Sequence, residues 1–121
     1  MELRVRLGEK MKGRVQFVLH GHMPYVLHHG TWPHGSHWLY EAALEVYLPL
    51  LALLSRRDMA LTLGLTPVLL TQLRSPSFVD GFYAFLREQL RLVALDKQNP
   101  DIAEISLYWE ELFSLRLQQF S

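Results

Sequence analysis

The stretch that most restricts how this chain can fold is Val15-Gln16-Phe17-Val18-Leu19-His20-Gly21-His22-Met23-Pro24-Tyr25. Val15 to Leu19 is short, apolar and rich in β-branched and large side chains, which predicts a buried strand. Polarity changes at His20, and Gly21 and Pro24 argue against a regular ladder beyond it. A second run of strand character, Met59 to Leu65, follows after a helical pattern. Strand, helix, strand is a crossover unit, so the two strands are expected to be parallel and covered on both faces. The same pleat puts His20 and His22 on one side of the strand as it emerges. In α/β folds the carboxyl end of the strands is where ligands bind.

The helical segments follow from spacing and caps. Ser36 is a candidate N-cap for a helix with an apolar stripe at Leu39, Ala42, Ala43, Val46, Leu50, Leu53 and Leu54. Pro49 should kink or restart it, and Arg56 and Arg57 suit its C-terminal end. Thr66-Pro67 reads as N-cap and first residue of a short helix through Leu73. Ser77-Phe78-Val79-Asp80 resembles a capping box opening a helix to about Leu95, with Phe78, Phe82, Phe85, Leu86 and Val93 facing inward. Asn99-Pro100-Asp101 starts the last helix, whose stripe is Ile102, Ile105, Trp109, Leu112 and Phe113.

Two strands and four helices do not complete a sheet of ordinary size. The expected architecture is therefore α/β and partial, with residues 11–121 forming a portion of a larger domain. Residues 1–10 are expected to be a non-native or disordered extension, with Met11 as the native start. Gly8-Glu9-Lys10 has the codon character of an untranslated purine-rich stretch. Peptides recovered upstream of Met11 from the native protein would refute this.

Composition narrows the function classes. The formal net charge is zero, which provides no electrostatic footprint for nucleic acid or an anionic membrane. No cysteine is present, so neither disulfides nor a thiolate metal site enter, and a cytoplasmic setting is expected. The first residues lack the apolar core of a signal peptide. The run Leu48 to Leu54 contains Pro49 and is far short of the roughly 20 residues of a membrane span.

All six histidines, His20, His22, His28, His29, His34 and His37, fall in one window that also holds Tyr25, Gly30, Trp32, Pro33 and Gly35. A loop of this composition reads as a site. Two chemistries suit His20-x-His22. One is a metal-dependent hydrolase site, which needs further His, Asp or Glu ligands. The other is sugar recognition, with imidazoles bonding hydroxyl groups and the Tyr25 and Trp32 rings stacking on a pyranose. His28, His29, His34 and His37 are expected to be solvated or structural. Glu41 could orient a histidine, or simply be a solvated helix residue.

Phe17-Val18-Leu19-His20-Gly21-His22-Met23-Pro24-Tyr25-Val26, followed by His29-Gly30-Thr31-Trp32-Pro33-His34-Gly35, resembles the start of family 57 glycoside hydrolases, most closely their 1,4-α-glucan branching enzymes. Trp38-Leu39-Tyr40-Glu41-Ala42 with Glu45-Val46-Tyr47-Leu48-Pro49-Leu50-Leu51 is similar to the family's next helix. Leu63-Gly64-Leu65-Thr66-Pro67-Val68-Leu69-Leu70 with Gln72-Leu73 is similar to its second strand and following turn.

The resemblance implies the N-terminal fragment of a distorted seven-stranded β/α barrel, acting on α-glucans with retention of configuration. It implies that His20 and His22 line the subsite where the bond is cleaved and that Trp32 lies at the glucan-binding cleft; with Tyr25 from the stacking argument these are the expected substrate-binding residues, and no cofactor or metal is expected. It also implies that the Glu nucleophile and Asp acid/base lie on later strands, so no residue of this chain is catalytic. A barrel portion leaves strand edges and apolar helix faces uncovered, so self-association through that edge is a further expectation. A non-catalytic glucan-binding fragment is the alternative of another class.

Overall fold

The computed structural model describes residues 13–121 and the short strand Glu2–Leu3. Met11, and most of the expected extension, lie outside the described residues. In chain order the elements are β1 (Glu2–Leu3), β2 (Val15–Gln16), β3 (Val18–Gly21), α1 (Ser36–Ala42), a π-helical segment (Ala43–Tyr47), α2 (Leu48–Arg56), β4 (Thr62–Leu65), α3 (Pro67–Leu73), α4 (Pro76–Asp96) and α5 (Ala103–Phe120).

The expected strand at 15–19 is two strands with different partners. β2 pairs antiparallel with β1, whereas β3 pairs parallel with β4. The change of partner falls at Phe17, whose carbonyl accepts from the Thr62 amide at 3.3 Å. The strands are not buried as expected: Val15, Phe17, Val18 and Leu19 are all exposed, Val18 at 63%. Among the described residues β3 pairs only with β4, and the helices leave the side chains of Val15, Phe17, Val18 and Leu19 open to solvent. β4 is shorter than expected, with Met59 to Leu61 outside the ladder.

The parallel pairing itself matches expectation. Its register places Val18 opposite Thr62, Leu19 opposite Leu63, His20 opposite Gly64 and Gly21 opposite Leu65. The ladder therefore continues through Gly21, beyond the expected stop at His20. Gly21 permits this because a Cβ there would stand 2.5 Å from Leu65 Cδ2. Thr66 N then donates to the Gly21 carbonyl at 3.2 Å, closing the strand pair onto the start of α3.

The first helix is capped by Gly35, with Ser36 as its first helical residue and no side-chain cap. Pro49 does what its missing donor predicts. The regular repeat gives way to the π-type turn at Ala43–Tyr47, and α2 restarts with Pro49 in its first turn. The expected stripe is realised only in part. Leu39, Tyr40, Ala43 and Leu44 are buried, while no residue of α2 is. The combined run Ser36–Arg56 is 21 residues long and apolar enough, by length and composition, to cross a membrane. Its first half is engaged by the buried core, packing on α4.

α3 is capped as expected, with Thr66 Oγ1 accepting from Leu69 N at 3.4 Å. The cap of α4 is Ser75 and not Ser77: its Oγ accepts from Phe78 N at 3.1 Å, and Pro76 takes the first helical position. The expected inward face of α4 is correct throughout, with Phe78, Phe82, Phe85, Leu86 and Val93 all buried. Phe82 stacks on Phe78 at 5.6 Å and meets Phe120 edge-on at 4.8 Å. Tyr40 of α1 closes the cluster against Phe85 at 5.5 Å.

α5 begins at Ala103, after an Asx turn in which Asn99 Oδ1 accepts from Asp101 N at 3.1 Å. It packs on α4 with Ser106, Phe113 and Arg116 buried, whereas Ile102 and Ile105 are exposed. The expected stripe thus holds at Trp109 and Phe113, which pack on the core, and fails at Ile102 and Ile105. α5 carries apolar residues on two sides, and the aromatic face of α4 selects the one containing Phe113 and Phe120.

Candidate functional site

The site is built where the parallel pair ends. His20 is the third residue of β3, and His22 follows directly after the ladder. Their rings lie 6.5 Å apart, tilted by 59°. Both are exposed, so the pair faces outward at the shared carboxyl end of β3 and β4.

Gly64 seats His20. A Cβ built on Gly64 would lie 3.1 Å from His20 Nδ1 and 4.0 Å from Cε1, so the imidazole occupies the space where a neighbouring side chain would stand. Gly64→Ala would press the ring aside by a few tenths of an ångström. Its cost, about 0.5–1.5 kcal/mol for an off-rotamer side chain, is offset by the roughly 0.4–1 kcal/mol gained from a less flexible unfolded chain. The melting temperature should therefore change little, while the NMR signals of the His20 imidazole move. Unchanged His20 signals would refute the seating.

The loop after His22 turns back on the body of the protein. Met23, Val26 and Leu27 are buried. Tyr25 between them is 45% exposed, its ring edge-on to His29 at 5.8 Å and 6.5 Å from His28. A turn follows, with the His29 amide donating to Val26 O at 3.2 Å. His28 and Gly30 both have positive φ, 69° and 81°. Glycine accepts that conformation freely, while histidine there is uncommon.

Residues 30–37 form a closed turn on α1, with Ser36 N donating to Gly30 O and His37 N to Thr31 O, both at 3.0 Å. Trp32 stands out from it at 75% exposure, the highest among the exposed large apolar residues described. Trp38 is also exposed, with His34 edge-on at 5.7 Å.

The sequence-derived site residues are therefore arranged in sequence along one surface segment. His20 and His22 are brought together. Tyr25 pairs with His28 and His29, and Trp32 projects separately. His28, His29 and His34 are exposed, while His37 is half-buried, its ring 5.1 Å from Phe85. Glu41 lines a different feature, a groove of about 280 Å³ with Glu45, Asp96, Phe85, Trp109 and Phe113. Among the described residues no three His, Asp or Glu side chains are grouped to hold a metal ion. Sequence reasoning missed Gly64 as the seat of His20 and missed Gln72, a buried amide bonded to the loop after His22. The first needs the strand register. The second could have been suspected from a polar residue on a short, mostly apolar helix.

The chain as a whole is similar to known proteins. A 1,4-α-glucan branching enzyme of Thermococcus kodakarensis is 41% identical over 91 residues, which is 71% of this chain and 14% of that protein. The crystal structure of the family 57 branching enzyme from Pyrococcus horikoshii superposes with a TM-score of 0.78 at 33% identity, over 91% of this chain and 22% of that one.

The chain matches part of a family 57 branching enzyme.

The family 57 branching enzyme from Thermococcus kodakaraensis, solved in complex with glucose, also superposes, at a TM-score of 0.75 and 31% identity over 86% of this chain and 21% of that one. No protein-family profile matches the chain. It spans about one seventh of the branching enzyme from T. kodakarensis, 14%. The parallel β3–β4 pair and its helices thus superpose on part of family 57 branching enzymes.

Proposed function

We propose that this chain is a portion of a cytoplasmic retaining enzyme that branches 1,4-α-glucans, and that it forms one wall of the glucan cleft. In this reading β3 and β4 are the first two strands of a distorted seven-stranded β/α barrel. His20 and His22 hydrogen-bond the hydroxyl groups of the sugar at the scissile bond. Tyr25 and Trp32 stack on sugar rings along the chain. The observation that carries the reading is the placement of His20 and His22 at the carboxyl end of a parallel strand pair, in a chain 41% identical over 91 residues to part of a branching enzyme. Ligands bind at that end of α/β strands. Exposed imidazole and aromatic side chains match the alternating polar edge and apolar face of a pyranose. The metal-dependent alternative would need further ligands beside His20 and His22.

The chemistry of the complete reaction is a double displacement with a glycosyl-enzyme intermediate, carried out by two carboxyl groups about 5–5.5 Å apart. We assign those groups to parts of the enzyme other than this chain. The role of His20 and His22 is to hold the reacting sugar and to exclude water beside it.

Binding of maltoheptaose, followed by tryptophan fluorescence, tests the reading. Trp32→Ala should weaken binding by roughly three- to tenfold, in line with the contribution of one aromatic contact. Stability should stay within about 0.5 kcal/mol, because the side chain is exposed. His20→Ala should weaken binding as well. Equal affinity in the parent chain and both variants would overturn the assignment.

A further inference from the structure

Gln72 is completely buried, at 0% exposure, near the end of α3. Its Oε1 accepts from the Val26 amide at 2.7 Å and from the Leu27 amide at 3.2 Å. Its Nε2 donates to the Pro24 carbonyl at 3.0 Å and to the Val68 carbonyl at 3.4 Å. Every hydrogen-bonding position of the side-chain amide that faces a partner is thereby filled, and the partners fix which end is oxygen. Two N–H groups demand the oxygen, and two carbonyls demand the nitrogen.

Three of these bonds reach across 45 to 48 residues to the loop after His22. That loop belongs to no helix or strand. Val26 and Leu27 are each only 2% exposed, so their amides must find partners inside the protein. Gln72 supplies both. Pro24 on one side of Tyr25 and Val26 on the other are held by the same side chain. His22 lies two residues before the clamped segment.

We propose that Gln72 is a positioning residue for the candidate site: it fixes the backbone from Pro24 to Leu27 and so sets where Tyr25 stands relative to His20 and His22. Gln72 itself touches no substrate. The functional half of this proposal rests on the glucan-binding reading above, while the clamp stands on its own geometry. A residue on α3, the helix after β4, thereby determines the shape of the loop after β3. Substitutions at 72 should alter sugar binding without removing any group that contacts sugar.

Residue-resolved hydrogen exchange separates the two halves. In the parent chain the Val26 and Leu27 amides should be strongly protected although they lie in a loop. Free exchange at both would overturn the clamp, with no variant required. Gln72→Met keeps the length of the side chain and removes all its hydrogen bonds. It should raise exchange at Val26 and Leu27 by about tenfold or more, leave the α4 and α5 amides unchanged, and weaken maltoheptaose binding severalfold. Released amides with undiminished affinity would overturn the positioning role.

Gln72→Glu keeps the length of the side chain and an oxygen acceptor for the Val26 and Leu27 amides. It should restore part of the protection lost in Gln72→Met. If Gln72→Met does not fold, this variant and the parent chain decide. Equal loss of protection in both variants marks simple packing and overturns the proposal. Failure of the parent chain to bind maltoheptaose, with Val26 and Leu27 protected, overturns the glucan reading and leaves the clamp standing.

Discussion

Incubated with amylose, the 121-residue chain is expected to leave the iodine colour of the linear glucan unchanged. Branching by retention needs a carboxylate nucleophile and a second carboxyl group as acid/base, facing each other across the scissile bond at about 5–5.5 Å. The carboxylates on the helix after the histidine-rich loop do not meet that need. Glu41 and Glu45 line a groove with Asp96 against Phe85, Trp109 and Phe113, and neither His20 nor His22 lines it. Neutral imidazoles can bond hydroxyl groups, but they do not replace the carboxylate that forms the glycosyl-enzyme intermediate. The expected effect is therefore complete absence of turnover. Loss of amylose colour with new 1,6 linkages, produced by the purified chain, would contradict the assignment of the catalytic carboxyl groups to other parts of the enzyme.

The largest effect on stability is expected from Phe82→Ala. Phe82 is fully buried at 0% exposure and is the hub of the aromatic cluster. It stacks on Phe78 at an interplanar angle of 10°, lies 6.3 Å from Phe85 and takes Phe120 edge-on. Truncation removes the contacts that join α4 to the end of α5 and leaves a cavity between rigid helices. The cost of Phe→Ala at such a site is about 3–5 kcal/mol. Small domains have roughly 5–15 kcal/mol in total, so much of the folded population would be lost near the melting region. Denaturant melts followed by far-ultraviolet circular dichroism measure this directly. A loss under about 1 kcal/mol would show that the cluster is not the core that holds α4 and α5 together.

The organisation of the chain was legible where local signals and burial agree. Thr66-Pro67 specifies a cap and a first helical residue within two positions, and the helix begins there. Phe78, Phe82 and Phe85 recur at helical spacing, and all three are buried. The strand–helix–strand order required a parallel pair, and β3 and β4 form one.

What escaped was decided by contacts between distant segments. The break at Phe17 depends on Glu2–Leu3 claiming Val15–Gln16, and no property of residues 15–19 announces it. The cap of α4 shifted to Ser75 because Pro76 fits the first helical position, where its missing N–H costs nothing. Ser77 shares the residue type but not that neighbour. On α5, apolar residues on two sides make its period ambiguous, and only packing against α4 selects a face. At the site, the pairing of His20 with His22 follows from the two-residue repeat of a strand. The Gly64 seat and the Gln72 clamp need the register and the folded-back loop, 44 and about 50 residues away from the histidines they serve.

The central claim is that glucan lies against the carboxyl end of β3. It is tested most directly by titrating the isotope-labelled chain with maltoheptaose and following the imidazole signals of all six histidines together with the indole signals of Trp32 and Trp38. The account predicts saturable shifts at His20, His22 and Trp32, with His37, packed against Phe85, unmoved. Saturable shifts confined to residues away from His20 and His22, or none at any of these signals up to the solubility of the sugar, would contradict it.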